Sequence, residues 1–173
     1  MSNNVIKIAN CSGFYGDKLS AAKELVDGGP IDVLTGDYLA ELTMAILYGQ
    51  KINRGEDKGY VGTFLKQIKE VAKDCKEKNI KIVSNAGGLN PKSMAKEIEK
   101  ILNEQAIDMK VAYIDGDDLL PRMETLSESG EKFENIDKKI PLNDSGYAAL
   151  TSNVYLGAWG IKEALDLGAD IVV

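Results

Sequence analysis

The sequence predicts an α/β protein, a three-layer α/β/α domain with a mainly parallel, Rossmann-like sheet of about five strands. Short apolar runs alternate with helical segments along all 173 residues, which is typical of parallel βαβ units. The runs end in small, amide or acidic residues, as strands do where a ligand-binding loop follows. A partial β/α barrel is the alternative, because successive βα units suit that fold as well.

Five apolar runs of strand length predict the sheet. Each is bounded by glycine, asparagine or acidic residues, which stop a strand and start a loop. The predicted strands are Val5–Asn10, Ile31–Thr35, Ile80–Ser84, Met109–Ile114 and Ala169–Val173.

Helices are predicted between these runs from apolar residues at helical spacing. Gly28 and Gly29 end the first helix, and Asn90 followed by Pro91 is a typical helix start. The predicted helices are Leu19–Val26, Tyr38–Gln50, Gly62–Lys78, the segment after Asn90, and Asn153–Leu167, with a further turn or two in Leu119–Leu126.

Two segments stand apart from this pattern. The helix predicted over Tyr38–Gln50 carries a single charge, Glu41, so we expect it to be buried on most sides or to lie in an interface. The stretch Ser127–Asp144 is polar with few apolar anchors, and we expect a long loop that acts as a lid.

Composition narrows the function classes. Apolar residues make up 44% of the chain, charged residues 28%, and the net charge is −6. We expect no nucleic-acid partner, since such proteins carry a basic surface. No apolar run is long enough to cross a bilayer, and the N-terminus lacks the pattern of a signal peptide. We therefore expect a cytoplasmic protein.

The chain has two cysteines, Cys11 and Cys75, and no histidine. The cysteine spacing matches neither a disulfide framework nor a zinc site. Catalysis through a histidine of this chain is excluded, so any acid–base chemistry must use carboxylates, lysine, tyrosine or cysteine.

The first loop, Asn10–Asp17, offers two possible nucleophiles and two glycines. Ser12 and the amide of Gly13 would hold a ligand oxygen at the start of the next helix. Asp17 would lie at the rim of this ligand site. A thiol at Cys11 could be activated there. Free cysteine is more often buried, however, so we favour packing for Cys11 and leave Asp17 open as a helix cap.

The second loop places Asp37 and Glu41 four residues apart. If the helix starts at Asp37 or Tyr38, both carboxylates face one side of its first turn. They would bind Mg²⁺ or divide acid and base roles. The alternative is that both simply complement the helix dipole.

The third loop runs from Ser84 to Pro91 and contains adjacent glycines. Gly87 and Gly88 permit close approach of a ligand to the main chain, and the amides from Asn85 onward precede a helix N-terminus that favours anions. A phosphate, carboxylate or thioester oxygen is the expected ligand. An ordinary strand-to-helix connection is the alternative.

The fourth loop begins at Asp115, at the end of the fourth predicted strand. We expect Asp115 to point into the cleft and to join Asp17, Asp37 and Glu41 in a carboxylate cluster. Such a group of carboxylates at the rim of the site repels anionic ligands unless a cation offsets its negative charge. The cation would be a metal ion or one of the basic residues Lys18, Lys92 and Arg122.

The segments NCSGFYGDKLSAAKELVDGGPIDVLTGDYLAELTMAIL, SNAGGLNP, AYIDGDDLL and NVYLGAWGIKEALDLGADIVV resemble, in this order, the AtuA-like proteins of acyclic terpene utilisation. The resemblance covers essentially the whole chain. It implies one α/β domain over residues 1–173 that forms the N-terminal part of a longer AtuA-like domain. It also implies a role in bacterial catabolism of branched acids as CoA thioesters.

From the resemblance and the loops together we expect an enzyme, of lyase or hydrolase type, acting on a small branched acyl-CoA or hydroxy acid. A non-catalytic subunit that works with a partner chain, or a homo-oligomer, is the alternative. The expected catalytic residues are Asp37, Glu41 and Asp115. The expected substrate-binding residues are Ser12, Gly13, Asp17, Asn85, Gly87 and Gly88.

Overall fold

The computed structural model describes residues 5–173. Residues 1–4 lie outside this range. They are the start of the N-terminal segment that we compared with a signal peptide. The chain forms two compact units. The larger runs to Asp115 and includes Gly157–Val173, and the smaller is Gly116–Leu156.

The larger unit contains a five-stranded parallel sheet with the order β1-β2-β3-β5-β4. All five predicted strands are present but shorter than the apolar runs. The first three begin one to three residues later than predicted, and the second ends at Gly36, one residue beyond its run. The strands are β1 Ile8–Asn10, β2 Val33–Gly36, β3 Lys81–Ser84, β4 Val111–Ala112 and β5 Ile171–Val172.

Helices of this unit follow the predicted alternation. They are α1 Ala21–Gly28, α2 Glu41–Arg54, α3 Gly62–Glu77, α4 Pro91–Glu104 and α6 Trp159–Asp166. The Asn90 side chain accepts a hydrogen bond from the Ser93 amide and caps α4, as predicted. This bond satisfies one of the amides that a helix start leaves free.

One face of the sheet carries the main core. Leu34, Ile82 and Ile171 are buried on it, and α1, α3 and α4 pack over them side by side. Their inner faces supply Val26, Phe64 and other fully buried side chains. Burial of these apolar groups is the main stabilising contribution to the fold.

The opposite face is covered by α6. Val172 points to this side, because neighbouring strand residues alternate between faces, and it packs with Ala164 and Val83. Helices on both faces make the predicted three-layer α/β/α arrangement. The position of β5 between β3 and β4 differs from the sequential strand order of a β/α barrel.

Two helix boundaries were predicted wrongly. The helix predicted from Tyr38 begins at Glu41 and runs on to Arg54. The helix predicted from Asn153 begins at Trp159. Strand β1 lies at the edge of the sheet, and Ile8 is 65% exposed.

The smaller unit contains the 3-10 turn Leu120–Arg122, helix α5 Met123–Glu128 and the 3-10 turn Leu142–Asp144. An antiparallel bridge joins Asp118 to Asn153. None of its side chains reaches the burial of the core. A lid role for Ser127–Asp144 stays a prediction. Across residues 5–173, no helix combines the length and the apolar composition needed to cross a bilayer.

Candidate functional site

Hydrogen bonds tie together the loops that follow β1, β2 and β3. The amide of Asp37 donates to the carbonyl of Ser12 over 2.9 Å. The Ser84 hydroxyl donates to the carbonyl of Gly36 over 2.7 Å. The amide of Tyr38 donates to Oδ1 of Asn85 over 2.9 Å. Three of the four predicted loops therefore form one connected surface at the carboxyl edge of the sheet.

Asn85 fixes the position of the Asp37 carboxylate at the centre of this surface. Its Nδ2 donates to Oδ1 of Asp37 over 2.6 Å. The direction of the Asn85 amide is determined, because the Tyr38 amide can only donate and so must meet Oδ1. Asp37 is exposed, and no hydrogen bond from residues 5–173 reaches its Oδ2. The carboxylate is thus held at one oxygen and open at the other.

Glu41 does not share a helical turn with Asp37. Residues 37–40 precede the helix, and Ala40 is extended with φ −152° and ψ 173°. The prediction that both carboxylates face one side of a first helical turn is therefore wrong. Glu41 is exposed in the first turn of α2, whose N-terminus has no side-chain cap.

The polar groups of the first loop bond to one another. Ser12 is buried and its hydroxyl donates to the carbonyl of Phe14 over 2.9 Å. Asp17 accepts the amides of Gly13 at 2.9 Å and of Lys18 at 2.7 Å, and these two hydrogen bonds lower the pKa of the Asp17 carboxyl below its usual value. Asp17 thus organises the turn at the rim of the candidate site.

The glycines of the third loop are required by packing. A Cβ on Gly88 would lie 2.3 Å from Cδ1 of Leu47 and 2.9 Å from the carbonyl oxygen of Gly59, and the φ of Gly88 is +55°. A Cβ on Gly87 would lie 2.6 Å from Cβ of Pro91. The amide of Gly88 donates to the carbonyl of Asn85. These contacts favour an ordinary strand-to-helix connection for this loop. They do not favour a site in which its glycine amides bind an anion.

Asp115 lies away from the other three acids. It follows β4, and β3 and β5 separate β4 from β2, which corresponds to about 14 Å at the usual strand spacing. Among residues 5–173 there is no group of three acidic or thiol side chains placed to hold a metal ion. No three of the four acids expected to cluster are therefore placed to hold a metal ion. These acids are Asp17, Asp37, Glu41 and Asp115.

A buried polar network lies beneath these loops. The Tyr38 hydroxyl donates a short hydrogen bond to Oε1 of Gln67 and lies 3.7 Å from Sγ of Cys11. The Gln67 amide donates to the carbonyl of Leu19 over 3.3 Å. Tyr38 also packs edge to face on Phe64, with ring centroids 5.7 Å apart.

Sequence analysis missed this network. Tyr38 was assigned to a helix, Gln67 lies within the predicted helix Gly62–Lys78, and nothing local connects residues 29 apart. The one signal was Gly36, where a Cβ would lie 2.7 Å from Cε2 of Tyr38. Cys11 is buried, and this burial raises the pKa of its thiol, so the structure supports the packing role that we favoured.

One of the three basic residues expected to balance the rim is already engaged. Nζ of Lys18 donates to the Glu24 carboxylate over 2.7 Å. Lys92 lies in the first turn of α4 and is exposed, and Arg122 belongs to the smaller unit. The charge of the rim acids is thus not neutralised by Lys18.

Two cavities lie elsewhere. One of about 430 Å³ is at the amino end of β4, between the end of α4 and Met109. The other, of about 560 Å³, lies within the smaller unit between α5 and Leu142–Ala149. Neither contains a predicted site residue.

The fold and the three linked loops define an α/β protein whose candidate site lies at the carboxyl edge of a parallel sheet. The model of the acyclic terpene utilisation family protein AtuA matches residues 6–173, so the chain belongs to this family, as its sequence predicted. Membership supports a general role in acyclic terpene utilisation. No curated protein and no solved structure matches the chain.

Proposed function

We propose that the chain carries the site of a catabolic enzyme that acts on a small branched acyl-CoA or hydroxy acid, with Asp37 as general base. The observation that supports this most is the hydrogen bond from Asn85 to Asp37. A base must be held in place while one of its oxygens stays free for the proton. Oδ1 of Asp37 is held by Asn85, and its exposed carboxylate leaves Oδ2 for the substrate.

Two reaction types suit a carboxylate in this position. Asp37 would remove a proton next to the substrate carbonyl, as in a lyase, or from a water molecule, as in a hydrolase. Glu41 would act as the general acid and donate a proton of its own to the leaving group or product, while the proton taken up by Asp37 passes to water and Glu41 regains one from water. Both residues then work without a histidine, which the chain lacks.

An oxyanion or carboxylate of the substrate would be bound beside Asp37. The second N–H of the Asn85 side-chain amide is one donor, since only one N–H is used by Asp37. The uncapped N-terminus of α2 supplies free amides and a favourable dipole. This placement keeps Asn85 in the predicted binding role and moves the amide donors from Gly87 and Gly88 to α2.

The other predicted residues take supporting roles in this proposal. Ser12 shapes the rim through its hydrogen bond to the Phe14 carbonyl, and Asp17 does so through the hydrogen bond that it accepts from the Gly13 amide. Asp115 would contact only a remote part of an extended ligand such as a CoA ester, because two strands separate it from β2.

A thermal-shift screen of acyl-CoAs and hydroxy acids, followed by turnover assays on the ligands found, tests the proposal, because a ligand that binds the folded state raises its melting temperature. We expect Asp37→Asn to lower turnover by about 100-fold or more, the usual range for a general base. Glu41→Gln should reduce it less. Asp108→Asn, an exposed acid at the amino end of the sheet, is the control and should be unchanged. Full turnover in Asp37→Asn would refute the proposed base.

A second candidate function is a non-catalytic subunit. The observation that favours it is the apolar outer side of α2, where Leu42 and Ile52 are exposed. Size-exclusion chromatography with light scattering, combined with the turnover assay, separates the two. A monomer that turns over substrate alone excludes the subunit role.

A further inference from the structure

We propose that Gln67 of α3 is a positioning residue for Asp37 and acts through the buried hydroxyl of Tyr38. Gln67 is 3% exposed and Tyr38 is 2% exposed, so neither side chain meets a ligand at the carboxyl edge of the sheet. Both lie beneath the loops that carry Asp37 and Asn85. The effect on turnover rests on the proposed function, whereas the orientation of the Asp37 carboxylate can be measured without it.

The direction of the hydrogen bonds at Gln67 is determined by the chemistry of its partners. Its Nε2 donates to the carbonyl of Leu19 over 3.3 Å, and a carbonyl can only accept, so Oε1 faces the Tyr38 hydroxyl. That hydroxyl must then donate to Oε1. Its oxygen remains free to accept from the thiol of Cys11, whose Sγ lies 3.7 Å away. Each polar group of this buried network has a partner, and satisfied networks of this kind specify one arrangement.

The Tyr38 ring is inserted into the core below the end of β2. It folds back over Gly36, where a Cβ would lie 2.7 Å from Cε2 of the ring, and it packs edge to face on Phe64. Apolar packing is not directional, whereas a hydrogen bond weakens steeply away from its preferred geometry. The bond to Gln67 therefore fixes how deeply the ring is inserted, and with it the position of the Tyr38 main chain.

The main chain of Tyr38 links this position to the candidate base. Its amide donates to Oδ1 of Asn85 over 2.9 Å, and Nδ2 of Asn85 donates to Oδ1 of Asp37 over 2.6 Å. Without the bond to Gln67 the Tyr38 amide can shift, and Asn85 then loses the donor that determines the direction of its side-chain amide. Gln67 thus orients a carboxylate that it does not touch.

Stability alone does not require a polar pair at this place in the core. Replacing both partners of a buried hydrogen bond by apolar groups of similar shape can be nearly neutral for stability. Tyr38→Phe combined with Gln67→Met makes this replacement. The carbonyl of Leu19 loses its Gln67 donor in this double variant, but Leu19 is 44% exposed and open to water. The double variant therefore separates the orientation of Asp37 from the stability of the fold.

The side-chain amide of Asn85 reports this orientation by NMR of the ¹⁵N-labelled protein, without any ligand. One of its two N–H protons bonds to the Asp37 carboxylate and the other does not, so the two proton shifts should be well separated. In Tyr38→Phe, in Gln67→Met and in the double variant, we expect the separation to shrink. It should approach the separation of the two side-chain N–H protons of Asn103, an exposed residue of α4.

Gln105→Met is the matched control for these variants. The side-chain amide of Gln105 also donates to a carbonyl of α3, that of Lys69, over 2.9 Å, but it lies at the C-terminal end of α4. The Asn85 shifts should stay unchanged in this variant. If Gln67→Met does not fold, Tyr38→Phe removes the same hydrogen bond from its other partner. A wild-type separation of the Asn85 shifts in the folded double variant would overturn the proposal.

Kinetics give a second readout that a merely structural role would not produce. In turnover assays with the acyl-CoAs and hydroxy acids of the thermal-shift screen, the double variant should lose about tenfold or more in kcat at unchanged KM, because a displaced base impairs catalysis and not binding. A raised KM at unchanged kcat would contradict a positioning role. Full turnover in Asp37→Asn would refute the base but leave the Asn85 result standing, so the two proposals can fail separately.

Discussion

The side-chain amide of Asn85 donates a hydrogen bond to the carboxylate of Asp37 over 2.6 Å and joins the loop after β3 to the loop after β2. The same side chain accepts the Tyr38 amide at 2.9 Å. One residue thus supports both the exposed acid and the segment that leads into the buried Tyr38. Asn85 is therefore expected to matter for both the site and the stability of the loops.

Asn85→Asp should destabilise the protein near neutral pH and less so in acid. The new carboxylate still accepts the Tyr38 amide, but it faces Asp37 with a like charge, so one of the two pKa values rises. Since the folded state then binds a proton more tightly than the unfolded state, stability increases as pH falls through that raised pKa.

Urea unfolding of the wild type and of Asn85→Asp between about pH 4 and pH 8 measures this effect. Asn103→Asp, at an exposed position in the last turn of α4, is the control and should show a clearly smaller pH dependence, because its exposed carboxylate is opposed by the helix dipole and not by a bonded acid such as Asp37. An equal loss of stability at both ends of the pH range would contradict the contact between Asn85 and Asp37.

Gly88→Ala should destabilise the fold by about 2 kcal/mol or more. The new Cβ would meet Leu47 and the carbonyl oxygen of Gly59 at a φ of +55°, and the backbone oxygen cannot move aside without breaking its hydrogen bond from Leu89. Gly62→Ala, with no atom within 4 Å of the new Cβ, should be neutral or stabilising. Thermal unfolding of both variants checks this, and equal melting temperatures would contradict it.

Tyr38→Phe should lower the free energy of unfolding by about 1 to 2 kcal/mol. The ring and its contact with Phe64 remain, but Oε1 of buried Gln67 loses its donor. Tyr113→Phe, an exposed tyrosine, serves as the matched control. If denaturant unfolding shows no difference between the two variants, the hydroxyl does not contribute as described.

Asp170→Asn should weaken the amino edge of the sheet. Partial burial acts to raise the pKa of Asp170, but hydrogen bonds from Lys81 and the Lys110 amide outweigh it and hold the pKa below its usual value. The resulting stability is present above the unfolded pKa near 4 and is lost as pH falls through the lower folded value.

We therefore expect the variant to lose about 1 to 3 kcal/mol at pH 7 and to approach the wild type in strong acid. Asp166→Asn, an exposed acid of α6, is the control. If the free energy of unfolding falls in parallel for the wild type and Asp170→Asn from pH 7 to pH 2, the hydrogen bonds assigned to the Asp170 carboxylate are contradicted.

The alternation of strands and helices could be predicted because each element carries its own signal. Apolar runs marked the strands, and the Asn90–Pro91 pair marked the start of α4. The strand order could not be predicted in this way. Placement of β5 between β3 and β4 depends on packing between distant segments, and that placement separates Asp115 from Asp37.

The start of α2 shows the same limit. Tyr38 has no local feature that excludes it from a helix. Its hydroxyl bonds to Gln67 and its amide to Asn85, both far along the chain, and these contacts hold residues 37–40 outside the helix. The loops of the site could thus be found from sequence, whereas the contacts that orient Asp37 could not.

The most direct test of the central claim is an NMR titration of the ¹⁵N-labelled protein with isovaleryl-CoA, a small branched acyl-CoA. We predict that the largest amide shift changes occur at Tyr38, Glu41 and Asn85, around the Asp37 carboxylate. Changes confined to the cavity between α4 and Met109, or to the smaller unit, would contradict a site at the carboxyl edge of the sheet.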